Sequence, residues 1–110
     1  MIDWERVTTL REEVGTEDFD EVVELFLEEV DAAIAELKAQ ETHSDLEERL
    51  HFLKGSALSL GFRQFSGLCQ NGESAVANDP GAVVDIPEIL ASYENSRVIF
   101  LSEMSTKLAG

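Results

Sequence analysis

Apolar residues recur along the chain at helical steps of three and four, and the two-residue alternation of a half-buried strand is missing. The first stretch, Ile2 to Val14, sets Val7, Leu10 and Val14 on one side, and Gly15 stops it. Asp18 can N-cap the next helix, with Glu21 three residues on as its reciprocal acid. That helix is predicted to reach about Gln40, with Phe19, Val22, Val23, Phe26, Val30, Ala33, Ile34 and Leu37 as its apolar stripe. Acids such as Glu24, Glu28 and Asp31 fill its far side.

Ser44 offers the next N-cap, with Glu47 at the reciprocal position. Leu46, Leu50, Leu53, Ala57 and Leu60 follow at steps of four, three, four and three, the spacing of a bundle seam, and Gly61 closes that helix. A further segment from about Arg63 to Asn78 turns Phe65, Leu68, Cys69, Gly72 and Val76 inward. Asn78-Asp79-Pro80-Gly81 has the composition of a turn. Asp85 caps the last helix, with Pro87 in its first turn and Glu88 as the reciprocal acid. Its expected buried face is Ile89, Leu90, Tyr93, Phe100, Leu101, Met104 and Leu108.

Short connections make consecutive helices antiparallel neighbours. The expected fold is therefore all-α: an up-down-up-down antiparallel four-helix bundle with a short extra N-terminal helix. Its bundle helices fall at about 18–40, 44–60, 63–78 and 86–108 of a single domain spanning residues 1–110. A hydrophobic share of 44% in 110 residues supports one core without staples. Cys69 is the one cysteine, which excludes an intrachain disulfide and a Cys-based metal site. Apolar runs stop at four residues, as in Val98–Leu101, so no membrane-spanning helix is expected, and the acidic N-terminus does not read as a signal peptide. The expected location is the cytoplasm.

Charge narrows the functional classes. Eight Lys and Arg against 23 Asp and Glu leave a net charge of -15, which phosphate backbones and anionic membranes repel; neither nucleic acid nor a membrane surface is an expected partner. The charge is uneven. Residues 1–48 hold 17 acids and 3 bases, whereas residues 49–72 hold Arg49, Lys54, Arg63 and no acid. A short basic island sits in an acidic chain.

Inside that island the third helix breaks its own pattern. His51 lies about 100° round from the seam residue Leu50 and so faces outward or sits at an edge. Lys54 and Gly55 are three and four residues on, over the same face, and Leu58 is a turn further. A glycine inside a helix costs about 1 kcal/mol relative to alanine. Beside an exposed histidine it leaves a notch for close approach by another molecule. A neutral imidazole is a nucleophile near neutral pH, and a lysine one turn away can neutralise the oxygens of a phosphoryl group placed on it.

The segment His51-Phe-Leu-Lys54-Gly55-Ser56-Ala-Leu-Ser-Leu-Gly61, followed by Phe65, Leu68, Cys69 and Glu73, resembles the histidine phosphotransfer (HPt) domains of two-component phosphorelays. The leading short helix, the Gly15-Thr16 break, the stretch Val23–Leu27 and the long last helix extend that resemblance over nearly the whole chain. It implies a phosphoryl shuttle. His51 would take a phosphoryl group from a receiver-domain aspartate, through Nε2, and pass it to another receiver. Lys54 would steady the phosphate, Gly55 would admit the receiver's active-site loop, and Ser56 would hydrogen-bond nearby. Glu73 matches a position that relatives fill with Gln or Glu, where an acid would hydrogen-bond the other ring nitrogen. Arg49, Leu58 and Arg63 would add a receiver-docking surface, the positive patch aiding encounter with an acidic receiver site. The implied partners are response-regulator receiver domains, a hybrid sensor histidine kinase, or both. Mg²⁺ is expected on the receiver, no cofactor on this chain, and the working form is expected to be a monomer. Ala77 stands where some relatives carry an arginine, which shifts the expected phosphate contact toward Lys54.

Other classes fit less well. Glu48-Arg-Leu-His51 is a Glu-x-x-His, but a di-iron bundle needs a second copy and more inward carboxylates, so no metal is expected. Cys69 reads as a small core residue rather than a redox thiol. The remaining alternative is a non-catalytic helical module that binds and inhibits a receiver or kinase.

Overall fold

The computed structural model describes residues 2–39, 45–79 and 81–108. Five helices occupy them: α1 (Trp4–Val14), α2 (Phe19–Ala39), α3 (Leu46–Leu60), α4 (Arg63–Asn78) and α5 (Ile86–Lys107). The protein is an all-α helical bundle. Ion pairs between Arg97 and Asp31 and between Lys38 and Glu94 show α2 and α5 running antiparallel. His51–Glu73 and Lys54–Gln70 do the same for α3 and α4.

Local chemistry sets several helix ends. Asp3 caps α1 by accepting the Arg6 N–H at 3.2 Å, and Asp85 caps α5 by accepting the Glu88 N–H at 3.1 Å. Gly61 ends α3 with φ +76°, the left-handed conformation that a Cβ disfavours. Asp18 lies just before α2 and receives the Val22 N–H at 3.0 Å on its backbone carbonyl. The expected Ser44 cap and the Gln40 boundary lie outside the described residues; the residue just before α3 is Asp45.

The α3 seam is buried as its spacing predicts, from Leu46 through Leu50, Leu53 and Ala57 to Leu60. Phe65 and Cys69 face it from α4. Phe62, in the tight α3–α4 junction, is fully buried against Phe100 and Tyr93. α1 closes this end: Asp3 N–H donates to the Gly61 carbonyl at 2.7 Å, Trp4 stacks on Phe100, and Arg11 donates to the Leu108 carbonyl at 2.6 Å.

Two stripes differ from expectation. On α2 the stripe includes Leu27, which is buried, while Val22, Phe26 and Ala33 sit at its margin. On α5 the buried line runs through Ile89, Ser92, Tyr93, Ser96 and Phe100, and Leu101 is exposed. The reason is helical phase: Leu101 is about 100° round from Phe100, which already occupies the seam. Serines fill two inward positions that hydrophobicity alone does not mark.

Candidate functional site

Gly72 governs how closely α4 approaches α3. A Cβ on Gly72 would stand 2.9 Å from Leu50 Cδ1 and 3.1 Å from Val84 Cγ1. Its absence lets the helices pack closely at this level. The next residue on each helix then meets its counterpart: Leu50 precedes His51 and Gly72 precedes Glu73.

Glu73 Oε1 lies 2.8 Å from His51 Nδ1, and Glu73 Oε2 lies 2.9 Å from Lys54 Nζ. The His51 side chain is 69% exposed, while those of Lys54 and Glu73 are 19% and 16% exposed. The imidazole thus projects from a half-buried ion pair. The Lys54 ammonium, and next the His51 ring, hold the Glu73 carboxyl below its ordinary pKa. An ionised carboxylate is acceptor-only. In the neutral ring Nδ1 must therefore carry the proton, and the lone pair lies on Nε2.

Gly55 lies one turn from His51 on the exposed side, with no atom within 4 Å of a Cβ added there. Nothing in the fold requires glycine at this position, so the helix propensity given up there leaves open space beside the His51 ring. Leu58, a turn further, is exposed.

Three sequence expectations need correction. Ser56 is buried, because it lies about 100° round from Gly55 toward the seam residue Ala57; it does not reach the surface beside His51. Arg49 points to Glu36 on α2, whose Oε2 lies 2.9 Å from its guanidinium, and Asp45 Oδ1, just before α3, also lies 2.9 Å from it. It lines a groove with Ala32, Ala33 and Phe52 instead of standing free on the His51 face. Nor is the basic island an unpaired patch in space. Arg63 pairs with Asp3 at 3.0 Å and Lys54 with Glu73, so each cation meets an acid from outside the island. Of the three, Arg63 remains exposed.

Sequence reasoning also missed Gln70 and Ser74. Gln70 Oε1 accepts from Lys54 Nζ at 2.9 Å, and Gln70 Nε2 donates to Ser74 Oγ at 2.8 Å. The signal was available: in an antiparallel pair, three residues forward on α3 match three residues back on α4, which sets Gln70 opposite Lys54 once Glu73 is set opposite His51. Cys69 is fully buried, and burial pushes its thiol up to about 12, so it stays protonated and unreactive near neutral pH. Among the described residues no three His, Cys, Asp or Glu side chains gather as a metal site. No helix among them is long and apolar enough to cross a membrane.

The Hpt domain family model matches residues 21–109, and the chain belongs to that family. No curated protein and no solved structure matches it. Hpt domains carry out histidine phosphotransfer in phosphorelays, working with receiver domains and kinases.

Proposed function

We propose that this protein is a cytoplasmic phosphoryl shuttle that takes a phosphoryl group from the aspartate of one receiver domain onto His51 and passes it to another. The observation that carries this reading is the 2.8 Å contact between His51 Nδ1 and Glu73, which turns the Nε2 lone pair outward on an exposed ring. Nε2 attacks phosphorus in line, the N–P bond forms, the acyl O–P bond breaks, and aspartate leaves as carboxylate. Nδ1 keeps its proton throughout, and the positive charge that develops on the ring faces the Glu73 carboxylate. The return step reverses each bond change. Lys54 neutralises the phosphoryl oxygens, and positioning with charge neutralisation supplies the catalysis.

The receiver brings the Mg²⁺ and its acidic site. It docks over the open face of α3, where Gly55 leaves room beside His51 and Leu58 offers an apolar contact. A single bundle presents all these groups, so the working unit is a monomer. The test is transfer from a panel of phosphorylated receivers to wild type and His51→Gln. The reading expects acid-labile, base-stable label on wild type alone. If both proteins bind a receiver and neither takes label, the chain is a non-catalytic interaction module instead.

A further inference from the structure

We infer that Gln70, braced by Ser74, is a positioning residue that fixes the orientation of the Lys54 ammonium toward the phosphoryl group. The inference rests on the shuttle reading of His51 and adds residues that the motif on α3 does not contain.

A lysine ammonium has three N–H donors and no acceptor. One donates to Gln70 Oε1 at 2.9 Å, while Glu73 Oε2, also 2.9 Å away, is an ion partner that no N–H is aimed at. The ion pair alone would leave the ammonium free to turn about the Cε–Nζ bond. The directed bond to Gln70 on α4 stops that rotation and so fixes the directions of the other two N–H groups. The orientation of Gln70 is itself determined. Lys54 can only donate, so it takes the amide oxygen, which leaves the amide NH₂ for Ser74 Oγ at 2.8 Å. Ser74 is half-buried on α4, one turn from Gln70, and anchors the far end of the amide.

Charge explains why an amide suits this place. Glu73 already balances the lysine. A second carboxylate at position 70 would give the site a net negative charge before any phosphate arrived, and an incoming phosphoryl group would be repelled. An amide oxygen directs the ammonium while leaving its charge available. Holding a cation in place before the reaction is worth more than supplying it on a mobile stem, because no reorganisation is then needed as charge develops.

The test compares wild type, Gln70→Met and Gln70→Glu, with thermal melting to confirm that each folds. ¹⁵N NMR of the Lys54 ammonium reads its order without any phosphate. Receiver-to-His51 transfer is followed with kcat and KM separated. Gln70→Met should lose the ordered ammonium signal and lower kcat roughly tenfold with KM little changed. Gln70→Glu should keep the ammonium ordered yet also lower kcat, because the site then carries a net negative charge that repels the phosphoryl group. An ammonium that stays ordered in Gln70→Met, or a kcat equal to wild type in that variant, overturns the inference. Failure of the shuttle reading looks different: wild type itself takes no label, while the ammonium still loses order in Gln70→Met.

Discussion

Leu50 and Gly72 touch across the α3–α4 seam so closely that a Cβ on Gly72 would stand 2.9 Å from Leu50 Cδ1. Leu50 is fully buried, so shifting its Cδ1 would press on packed neighbours. Gly72→Ala therefore pits overpacking, about 1–3 kcal/mol, against about 1 kcal/mol of regained helix propensity, for a net loss of about 1 kcal/mol. Gly55→Ala meets no atom and should gain about 1 kcal/mol. Thermal melting should move the two variants in opposite directions by several degrees. A larger residue at position 55, such as Gln, should leave the fold intact and accept phosphate from a small donor such as phosphoramidate, yet block transfer from receivers. Equal effects on both donors would mean that Gly55 does not provide the docking notch.

Glu73 holds both polar groups of the site, so its variants separate two roles. Glu73→Gln keeps an acceptor for the His51 Nδ1–H but removes the charge that balances Lys54. Glu73→Ala removes both. ¹⁵N NMR of the imidazole should show the Nδ1–H tautomer in wild type and Glu73→Gln, and a mixture in Glu73→Ala. Transfer should fall modestly in the first variant and roughly tenfold or more in the second. A single tautomer that persists in Glu73→Ala would show that another group orients the ring.

The bundle could be read from the sequence because its seams use the strongest available signal, large apolar residues at steps of three and four. Gly15 and Gly61, and the Asp85 cap, mark helix ends by the same local logic. The misses share a physical cause. Leu101 and Ser96 carry the wrong polarity for their positions, because helical phase on α5 is set by Phe62 and Trp4 packing onto Phe100 from other elements. In the site, His51, Lys54 and Gly55 lie on one helix, where spacing alone brings them together. Gln70 and Ser74 lie on a second helix, and placing them requires the register between α3 and α4. The basic island misled for the same reason. Charge along the chain is not charge in space once Asp3, Glu36 and Glu73 fold back onto it.

The docking role of the cations therefore divides. Arg49 is held at 2.9 Å by two carboxylates, and Arg49→Gln should unpin α2 from α3 with little change in receiver association. Arg63 has a side chain 73% exposed and a single partner, so Arg63→Gln should cost at most a few tenths of a kcal/mol. It should still slow receiver association at low salt, an effect that disappears as salt screens the surface. Association rates by stopped flow at low and high salt check both statements. Slower association in Arg49→Gln alone would reverse the assignment.

Acid should disarm the site and loosen α1 together. Glu73 is held below its ordinary carboxyl pKa by Lys54 and then His51, and Asp3 is held below its own by the Arg6 N–H and then Arg63. A folded-state pKa lower than the unfolded one contributes stability that is present above the unfolded value and is lost as pH falls through the folded value. The melting temperature should therefore hold from neutrality down to the ordinary carboxyl values of 4.5 for Glu73 and 3.8 for Asp3, then fall. Asp3→Asn and Glu73→Gln should each flatten this acid limb, and the double variant should flatten it further, because the two carboxyls sit at separate places and their effects add. Melting curves across this range test the linkage. An acid limb unchanged in the double variant would assign it to other carboxylates. The Glu73 carboxyl ¹³C shift gives the local counterpart. At pH 4.5, where an ordinary glutamate is half protonated, it should lie further toward the carboxylate value, and Lys54→Met should move its titration upward.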